Sequence, residues 1–338
     1  MNPPLPFVTV ILPIRNEAGY IGNALQSVLR QDYPLERIEI LVVDGISTDD
    51  TRAIVQSFCE RCPNLQLLDN PGRIVPTGLN IAIQKARGDI LVRVDGHCEI
   101  ASDYIRNCVA HLQNEAIAGV GGPMETVGET YTAQAIAIAM SSSFGVGGSA
   151  FRTGKKRRMY VETVAFPAYP RAVIQKAGLF DEEMVRNQDD EYNYRLLKLG
   201  EKILLSPAVR SRYYSRSSLR SLWRQYYQYG FWKVRVMQKH PRQLRARQFA
   251  PPLFVASLLG GALLAAFRAE GWLFVGALAA VYAAANLGAS ILTAARRGWK
   301  YLPVLPPAFA ILHVAYGAGF LTGLVRFANR WKEKTIVY

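Results

Sequence analysis

A chain of 338 residues, half of them hydrophobic, exceeds one typical domain; its long uncharged runs come only after residue 250, which implies a soluble part followed by a membrane part. The 40 Lys and Arg against 26 Asp and Glu give a net charge of +14, much of it between Lys155 and Arg247; with no DNA- or RNA-binding motif beside it, this charge points to anionic membrane lipid and away from nucleic acid. Four cysteines, Cys59, Cys62, Cys98 and Cys108, are too few and too poorly spaced for a disulfide framework, so a reducing compartment fits and Cys59-Glu-Arg-Cys62 reads as two ordinary thiols at a helix end.

The start, Met1-Asn-Pro-Pro4, shows neither the basic nor the apolar region of a signal peptide, and the first 250 residues are expected in the cytosol. Phe7–Pro13 predicts a strand, Arg15-Asn16-Glu17 a loop, and Ile21, Leu25, Val28 and Leu29 a helix. Ile38–Asp44 repeats the device, with Gly45–Thr51 supplying turn and cap chemistry before a helix containing Ile54, Val55 and Phe58. A third strand is expected at Leu65–Leu68 and a helix from Thr77 to Ala86. Asp89-Ile-Leu-Val-Arg-Val-Asp-Gly-His97 then carries a buried strand into an acid and an imidazole two residues apart. Ligands of open α/β sheets bind beyond the carboxyl ends of the strands, so Asp95 and His97 read as metal ligands in a crevice. Strands alternating with helices predict a mainly parallel, doubly wound sheet with helices on both faces. Neither a G-x-G-x-x-G nor a P-loop opens it.

Downstream, helices are expected at Ser102–Gln113 and Thr132–Ser141, a strand edge at Val120–Pro123 and a strand at Tyr160–Tyr169. Residues 143–158 mix glycine with a basic cluster, which suits either a mobile surface connection or a lid over phosphates or lipid headgroups. After a short helix at Val173–Gly178, Gln188-Asp189-Asp190-Glu191 opens a helix running to Gly200. Acids in a first turn satisfy the helix dipole, but three in succession exceed what capping needs, and a general base is the functional reading. From Ser217 to Arg247, Trp223, Tyr226, Tyr227, Tyr229, Phe231 and Trp232 alternate with Arg220, Arg224, Lys233, Arg235, Lys239 and Arg242, as in a helix lying among headgroups. Phe249–Phe267, Trp272–Ala295 and Tyr301–Val325 each approach the roughly 20 residues of a spanning helix. Pro303, Pro306 and Pro307 interrupt the third, so two or three spans are expected; His313 inside it suits helix packing or function equally.

These motifs together resemble the inverting family-2 glycosyltransferases of GT-A fold (Rossmann-like, α/β), and among them the succinoglycan-biosynthesis branch, over most of residues 7–235. Pro13-Ile-Arg-Asn-Glu17 is similar to the first nucleotide-contacting loop, which implies contacts from Pro13, Arg15 and Glu17. Val42-Val-Asp-Gly-Ile-Ser-Thr-Asp49 is similar to V-V-D-D-G-S-T-D, whose first acid holds uridine, a role that falls on Asp44. Asn70-Pro-Gly-Arg73, with Gly78, Asn80 and Ala86-Arg-Gly88, matches the segment before the metal motif and implies that Arg73 contacts base or phosphate. The motif D-x-D reads Asp95-Gly96-His97 here, which implies a divalent ion on Asp95 and His97, with Mn²⁺ suited at least as well as Mg²⁺ because one ligand is nitrogen. Gln188–Glu191 with Arg195 resembles E-D-x-E-L-x-x-R, which puts the base at Asp189, beside Asp190. The Q-x-x-R-W of processive synthases is absent, with Trp223–Tyr229 a loose echo.

The resemblance implies three regions: a GT-A domain at 1–215, an interfacial segment at 216–248 and a membrane domain at 249–338. It implies a multi-pass protein of the bacterial inner membrane with its catalytic part in the cytoplasm. The expected reaction moves a hexose from a UDP-sugar, UDP-glucose by expectation, onto a lipid-linked saccharide in exopolysaccharide synthesis, beside membrane lipid and other glycan-assembly proteins. Rival readings are a polyprenyl-phosphate glycosyltransferase, a processive synthase and a membrane scaffold with a decayed transferase domain.

Overall fold

A computed structural model describes residues 5–153, 157–243 and 245–331. The residues 154–156 of the basic loop and the tail from 332 lie outside the described residues. The chain forms two compact units: the first gathers 5–125 and 157–213, the second 126–153 and 214–331.

The first unit is built on β1 (Val8–Ile14), α1 (Ile21–Leu29), β2 (Ile38–Asp44), α2 (Thr51–Cys59), β3 (Leu65–Asp69), α3 (Val75–Lys85) and β4 (Ile90–Arg93). Every residue of β1 and β2 is buried, as a parallel strand covered on both faces requires. In α1 the apolar spacing sends Ile21, Ala24, Leu25 and Val28 inward. Next come β5 (Cys98–Ile100), α4 (Tyr104–Asn114), β6 (Gly119–Gly122) and β7 (Met124–Val127). The second unit begins with α5 (Tyr131–Met140) and α6 (Ser143–Val146). The chain then returns to the first with β8 (Met159–Tyr160), β9 (Ala165–Pro170), α7 (Arg171–Ala177), α8 (Gln188–Lys198), β10 (Ile203–Leu205) and β11 (Ser211–Tyr214).

The main sheet is ordered β3-β2-β1-β4-β9-β6-β10-β8, a mainly parallel α/β sheet in which β9 runs antiparallel to both neighbours. Its register aligns Ile14, Asp44 and Asp69, so the carboxyl ends of β1, β2 and β3 form one rim. The single strand expected at Tyr160–Tyr169 is two: β8 pairs with β10, whereas β9 lies between β4 and β6. With β6 and β10 intervening, no continuous strand can join them. On the opposite rim Glu39 is buried beneath Thr9 Oγ1 (2.8 Å), the Arg87 amide (2.9 Å) and Arg87 Nε (2.7 Å). Burial pushes its carboxyl up, but those hydrogen bonds outweigh the burial and hold it below the ordinary range.

The second unit adds α9 (Leu219–Lys239), α10 (Ala250–Ala265), α11 (Glu270–Arg297) and α12 (Leu305–Arg326). Three helices, at 246–265, 270–297 and 305–326, are long and apolar enough to cross a membrane. The prolines at the third do not break it: Pro303 precedes the helix, Pro306 and Pro307 occupy its first turn, where proline's missing N–H costs nothing, and the helix runs for 22 continuous residues. His313 proves to be a packing residue, sharing hydrogen bonds of 2.9 Å with Tyr282 Oη through Nδ1 and with the Phe144 carbonyl through Nε2. The expected loop at 143–158 therefore starts as a docked helical turn. The residues of α5 join this unit because Tyr131 Oη donates to the Lys300 carbonyl and Tyr301 Oη donates to Gln134 Oε1 at 2.8 Å.

The helix α9 lies backbone to backbone against α12. An added Cβ on Gly230 would stand 1.9 Å from the Tyr316 carbonyl oxygen, and one on Gly319 would stand 2.0 Å from that of Tyr227. The basic residues of α9 consequently divide. Arg220 and Arg224 are exposed, but Lys233 and Arg235 are buried, with Arg235 over the Phe327 ring at 5.7 Å.

Candidate active site

The rim of β1, β2 and β3 carries the residues expected to meet a nucleotide. Loops after β1 and β2 are laced together: the Asn16 amide donates to Ser47 Oγ and Thr48 N donates to Asn16 Oδ1, both at 2.8 Å. Asp44, wholly buried, accepts from the Ser47 hydroxyl and amide and from Arg52 at 2.8 Å, and Arg52 reaches on to Asp69. Both Asp44 oxygens are thereby engaged in shaping the loop. Pro13 is buried under this rim, while Arg15 and Arg73 are exposed on it. They converge on Gly45, where an added Cβ would meet Arg15 Cβ and Cδ at 3.3 Å and Arg73 Cα at 3.4 Å. Two exposed arginines thus leave the backbone close to one bare position, and exposed guanidinium groups on such a rim suit a polyanion.

Backbone strain gathers in the same places. Among the described residues, five other than glycine have positive φ: Asn16, Ile46, Arg73, Phe166 and Asn187. Asn16, Ile46 and Arg73 follow β1, β2 and β3, and Asn187 caps α8. A β-branched residue at φ 56°, as at Ile46, is an outlier; such strain persists where surrounding structure over-determines the backbone, commonly around active sites.

A second cluster lies beyond β4. Asp95 pairs with Arg93 Nε and its terminal nitrogen at 2.9 Å, and His97 Nδ1 lies 2.9 Å from Glu17 Oε1. Asp95 is 22% exposed and His97 14%, so both open toward solvent without being surface groups. Among the described residues no three His, Cys, Asp or Glu side chains converge as a closed metal cage. An open site suits a hard divalent ion all the same, since Mg²⁺ and Mn²⁺ bind through one or two protein ligands plus substrate phosphates. Asp95 and His97 fit that description.

The helix α8 presents its acids from Asn187, whose left-handed turn starts it abruptly. Asp189 Oδ1 accepts the Asp190 amide at 3.0 Å. Burial raises the Asp189 carboxyl above the ordinary carboxylate range; Asp190 and Asp95 push the same way, and Arg93 opposes them. Asp189, Arg93 and Asp95 thus feel one another's charge. Arg93, surrounded by apolar neighbours on a buried strand, is the participant that sequence reasoning missed, and a lone guanidinium in such a strand was its signal. Burial works against its charge, yet Asp95 and Asp189 hold its pKa above the ordinary value. Glu191 forms a buried bidentate pair with Arg195, which also donates to the carbonyls of Ala177 at 3.0 Å and Leu179 at 2.7 Å. That pair fixes the approach to α8, as does Asn80, which holds both polar backbone groups of Phe180.

The sequence profile described as Glycosyl transferase family 2 matches residues 9–176. The succinoglycan biosynthesis protein ExoA of Rhizobium meliloti (strain 1021) is 33% identical over 323 residues, 95% of this chain and 96% of its own. The chain belongs to glycosyltransferase family 2. A second relative of this family 2 enzyme is the dolichyl N-acetyl-alpha-D-glucosaminyl phosphate 3-beta-D-2,3-diacetamido-2,3-dideoxy-beta-D-glucuronosyltransferase of Methanococcus voltae, 31% identical over 69% of this chain and 74% of its own. Among solved structures, the mannosyltransferase PcManGT of Pyrobaculum calidifontis, in complex with GDP-Man and Mn²⁺, superposes with a TM-score of 0.60 at 21% identity, over 94% of this chain and 87% of that one. At that identity the likeness shows the fold, which is GT-A.

Proposed function

We propose that this family 2 glycosyltransferase moves a hexose from a UDP-sugar, with UDP-glucose the expected donor, to a saccharide carried on a membrane lipid, inverting the anomeric carbon. The observation that carries this reading is the make-up of one unit: Arg15 and Arg73 are exposed beyond the strand ends, Asp95 and His97 follow β4, and Asp189 at the start of α8 lies within the field of Arg93 and Asp95. In it, Asp44 and the loop it shapes hold the uridine, with Pro13, Glu17 and Gly96 around the donor, and Arg15 and Arg73 face the diphosphate. Asp95 and His97 would hold a divalent ion, which when bound neutralises the charge that develops on the departing diphosphate.

Asp189 takes the proton from the acceptor hydroxyl, whose oxygen bonds to the anomeric carbon as the bond from that carbon to the diphosphate oxygen breaks. One displacement on one face converts an α-linked donor to a β-linked product. Arg93 keeps Asp95 in place and tempers the Asp189 carboxyl from below.

The lipid acceptor is supported by three apolar helices in the same chain and by relatives whose names include a dolichyl-linked phosphosugar and a beta-monoglucosyldiacylglycerol synthase of Nostoc sp. (strain PCC 7120), 25% identical over 34% of this chain and 25% of its own length. In this reading residues 1–215 contain the catalytic groups, 216–248 meet the membrane surface and 249–338 span the bacterial inner membrane, leaving the catalytic part in the cytoplasm.

Membranes containing the protein, incubated with a panel of labelled nucleotide sugars, should pass one label into the butanol-soluble lipid fraction. Label released by mild acid as the free monosaccharide would indicate a polyprenyl-phosphate acceptor instead, since a lipid-linked saccharide would release it within a larger sugar. Label in long polymer on gel filtration would indicate a processive synthase. No transfer from any donor, together with no UDP binding under any divalent metal, would leave a scaffold.

A further inference from the structure

The imidazole of His97 is held from two sides. Glu17 Oε1 lies 2.9 Å from Nδ1, and the Tyr213 ring meets it edge-on with centroids 4.9 Å apart. The pairing of β11 with β5 sets Tyr213 opposite Cys98, next to His97 in the chain. An ionised carboxylate only accepts hydrogen bonds, so the neutral ring facing it carries its proton on Nδ1 and presents its lone pair at Nε2. Metal-binding imidazoles characteristically give their second N–H to such a partner, which fixes both tautomer and ring orientation.

Glu17 is itself firmly seated. Its amide donates to Thr51 Oγ1 at 2.8 Å, the Thr51 hydroxyl donates to Asp49, and the Glu17 carbonyl accepts from Tyr20 N and Ile21 N at 2.9 Å, where α1 begins. The side chain then crosses the Asp95-Gly96-His97 turn in contact with the bare Cα of Gly96, where an added Cβ would stand 2.9 Å from Glu17 Cγ and 3.0 Å from Ile14 Cγ2. A glycine between the two ligand positions is what gives Glu17 access to the imidazole.

We infer that Glu17 is a positioning residue for the metal centre: it holds Nδ1–H of His97, selects Nε2 as the ligand atom, and makes a histidine serviceable where the family motif has a second carboxylate. This rests on the reading of Asp95 and His97 as metal ligands. It gives Glu17 a role distinct from contact with the nucleotide, and it couples positions 17 and 97. With Asp at position 97, Glu17 would be a like charge at close range and a liability.

The test is Mn²⁺ affinity in the presence of UDP, read from the electron paramagnetic resonance signal of free Mn²⁺, on the full-length protein and on Glu17→Gln, Glu17→Ala, His97→Asp and the Glu17→Ala/His97→Asp double variant. Glu17→Ala should weaken Mn²⁺ binding about 10–100-fold, the usual cost of losing such a partner. Glu17→Gln keeps an acceptor oxygen and should recover most of the affinity. In the His97→Asp background, Glu17→Ala should leave affinity unchanged or improve it. Equal weakening in both backgrounds would mean that Glu17 acts through the fold or as a ligand, and would overturn the inference, as would unchanged affinity in Glu17→Ala beside a wild type that binds. Absence of Mn²⁺ binding in the wild type would instead overturn the metal reading beneath it. The imidazole ¹⁵N shifts of the metal-free protein supply a separate check: they should report Nδ1–H at His97 in the wild type and lose that preference in Glu17→Ala.

Discussion

Replacing Asp189 with Asn separates catalysis from capping, because the two roles predict opposite signs in two measurements. The substitution keeps shape, and an Asn oxygen can still accept the Asp190 amide now 3.0 Å from Asp189 Oδ1. As the general base, Asp189 should contribute about 10²–10⁴-fold to turnover, so the variant should lose at least a hundredfold, or about 2.7 kcal/mol of transition-state stabilisation. Its effect on stability follows from the direction of its pKa. Burial raises the folded value above the unfolded one, so the associated stability is full below the unfolded pKa and is lost as pH rises through the folded pKa. At neutral pH the ionised carboxylate is therefore a burden, and the neutral Asn should melt at the same or a higher temperature. A cap would behave otherwise, leaving turnover intact and losing about 0.3–1 kcal/mol of stability with the helix-dipole interaction. The assays are single-turnover transfer with labelled donor and thermal melts in detergent, with UDP affinity as a control that should not move. In the wild type kcat/KM should fall as pH drops through a value above the ordinary carboxylate range, and Asp189→Asn should lose that limb. Near-normal turnover with a lowered melting temperature would refute the assignment, and a larger loss from Asp190→Asn would shift the base by one residue.

Ile46 stands where the resembling motif has glycine and takes φ 56°, so Ile46→Gly should relieve about 1–3 kcal/mol of strain against roughly 0.5–1 of added chain entropy, raising stability in urea melts by about 1 kcal/mol; a loss would show the strain to be offset locally. Glu39, held below its ordinary pKa, contributes stability that is present above about pH 4.3 and lost as pH falls from there through the lower folded value; Glu39→Gln should flatten that acid limb in denaturation curves, and an unchanged limb would move its origin elsewhere. His97→Asp should shift metal preference from Mn²⁺ toward Mg²⁺, read by activity in chelator-treated membranes resupplied with each ion, while activity persisting in excess chelator would remove the metal from the mechanism. Gly230→Ala should drive α9 from α12, abolishing cross-linking by a short thiol reagent between cysteines placed at Tyr227 and Thr322, whose hydroxyls lie 2.9 Å apart; undiminished cross-linking would show that the helices can slide.

The alternation of strands and helices up to Asp95 was legible because buried parallel strands are continuous apolar runs, and Ile38–Asp44 and Ile90–Arg93 are such runs. The partial exposure of Asp95 and His97 followed from the same logic, since polar groups after a buried strand emerge at the rim. What stayed hidden depends on partners far away in sequence. Nothing within Tyr160–Tyr169 announces that β8 joins β10 while β9 enters between β4 and β6. Glu17 is 80 residues from the imidazole it contacts, and its local context in the Pro13–Glu17 loop suggests only a nucleotide. The charges of α9 read as headgroup ligands from composition, whereas Lys233 and Arg235 are buried, the latter over the Phe327 ring.

The pairing of α9 with α12 also imposes an order on biogenesis. Translation finishes α9 at Lys239, but α12 starts only at Leu305, so α9 must wait through two apolar helices before its partner exists. During that interval Val234 and Met237 lack Phe320 and Phe327, the rings they finally pack against, and Arg235 lacks the Phe327 ring it lies over. Sheet-forming residues upstream can already have condensed, since domains generally fold as units from the N-terminus during synthesis. A nascent chain paused before residue 305 would thus combine a folded enzyme core with a cationic helix whose Val234 and Met237 are still unpacked.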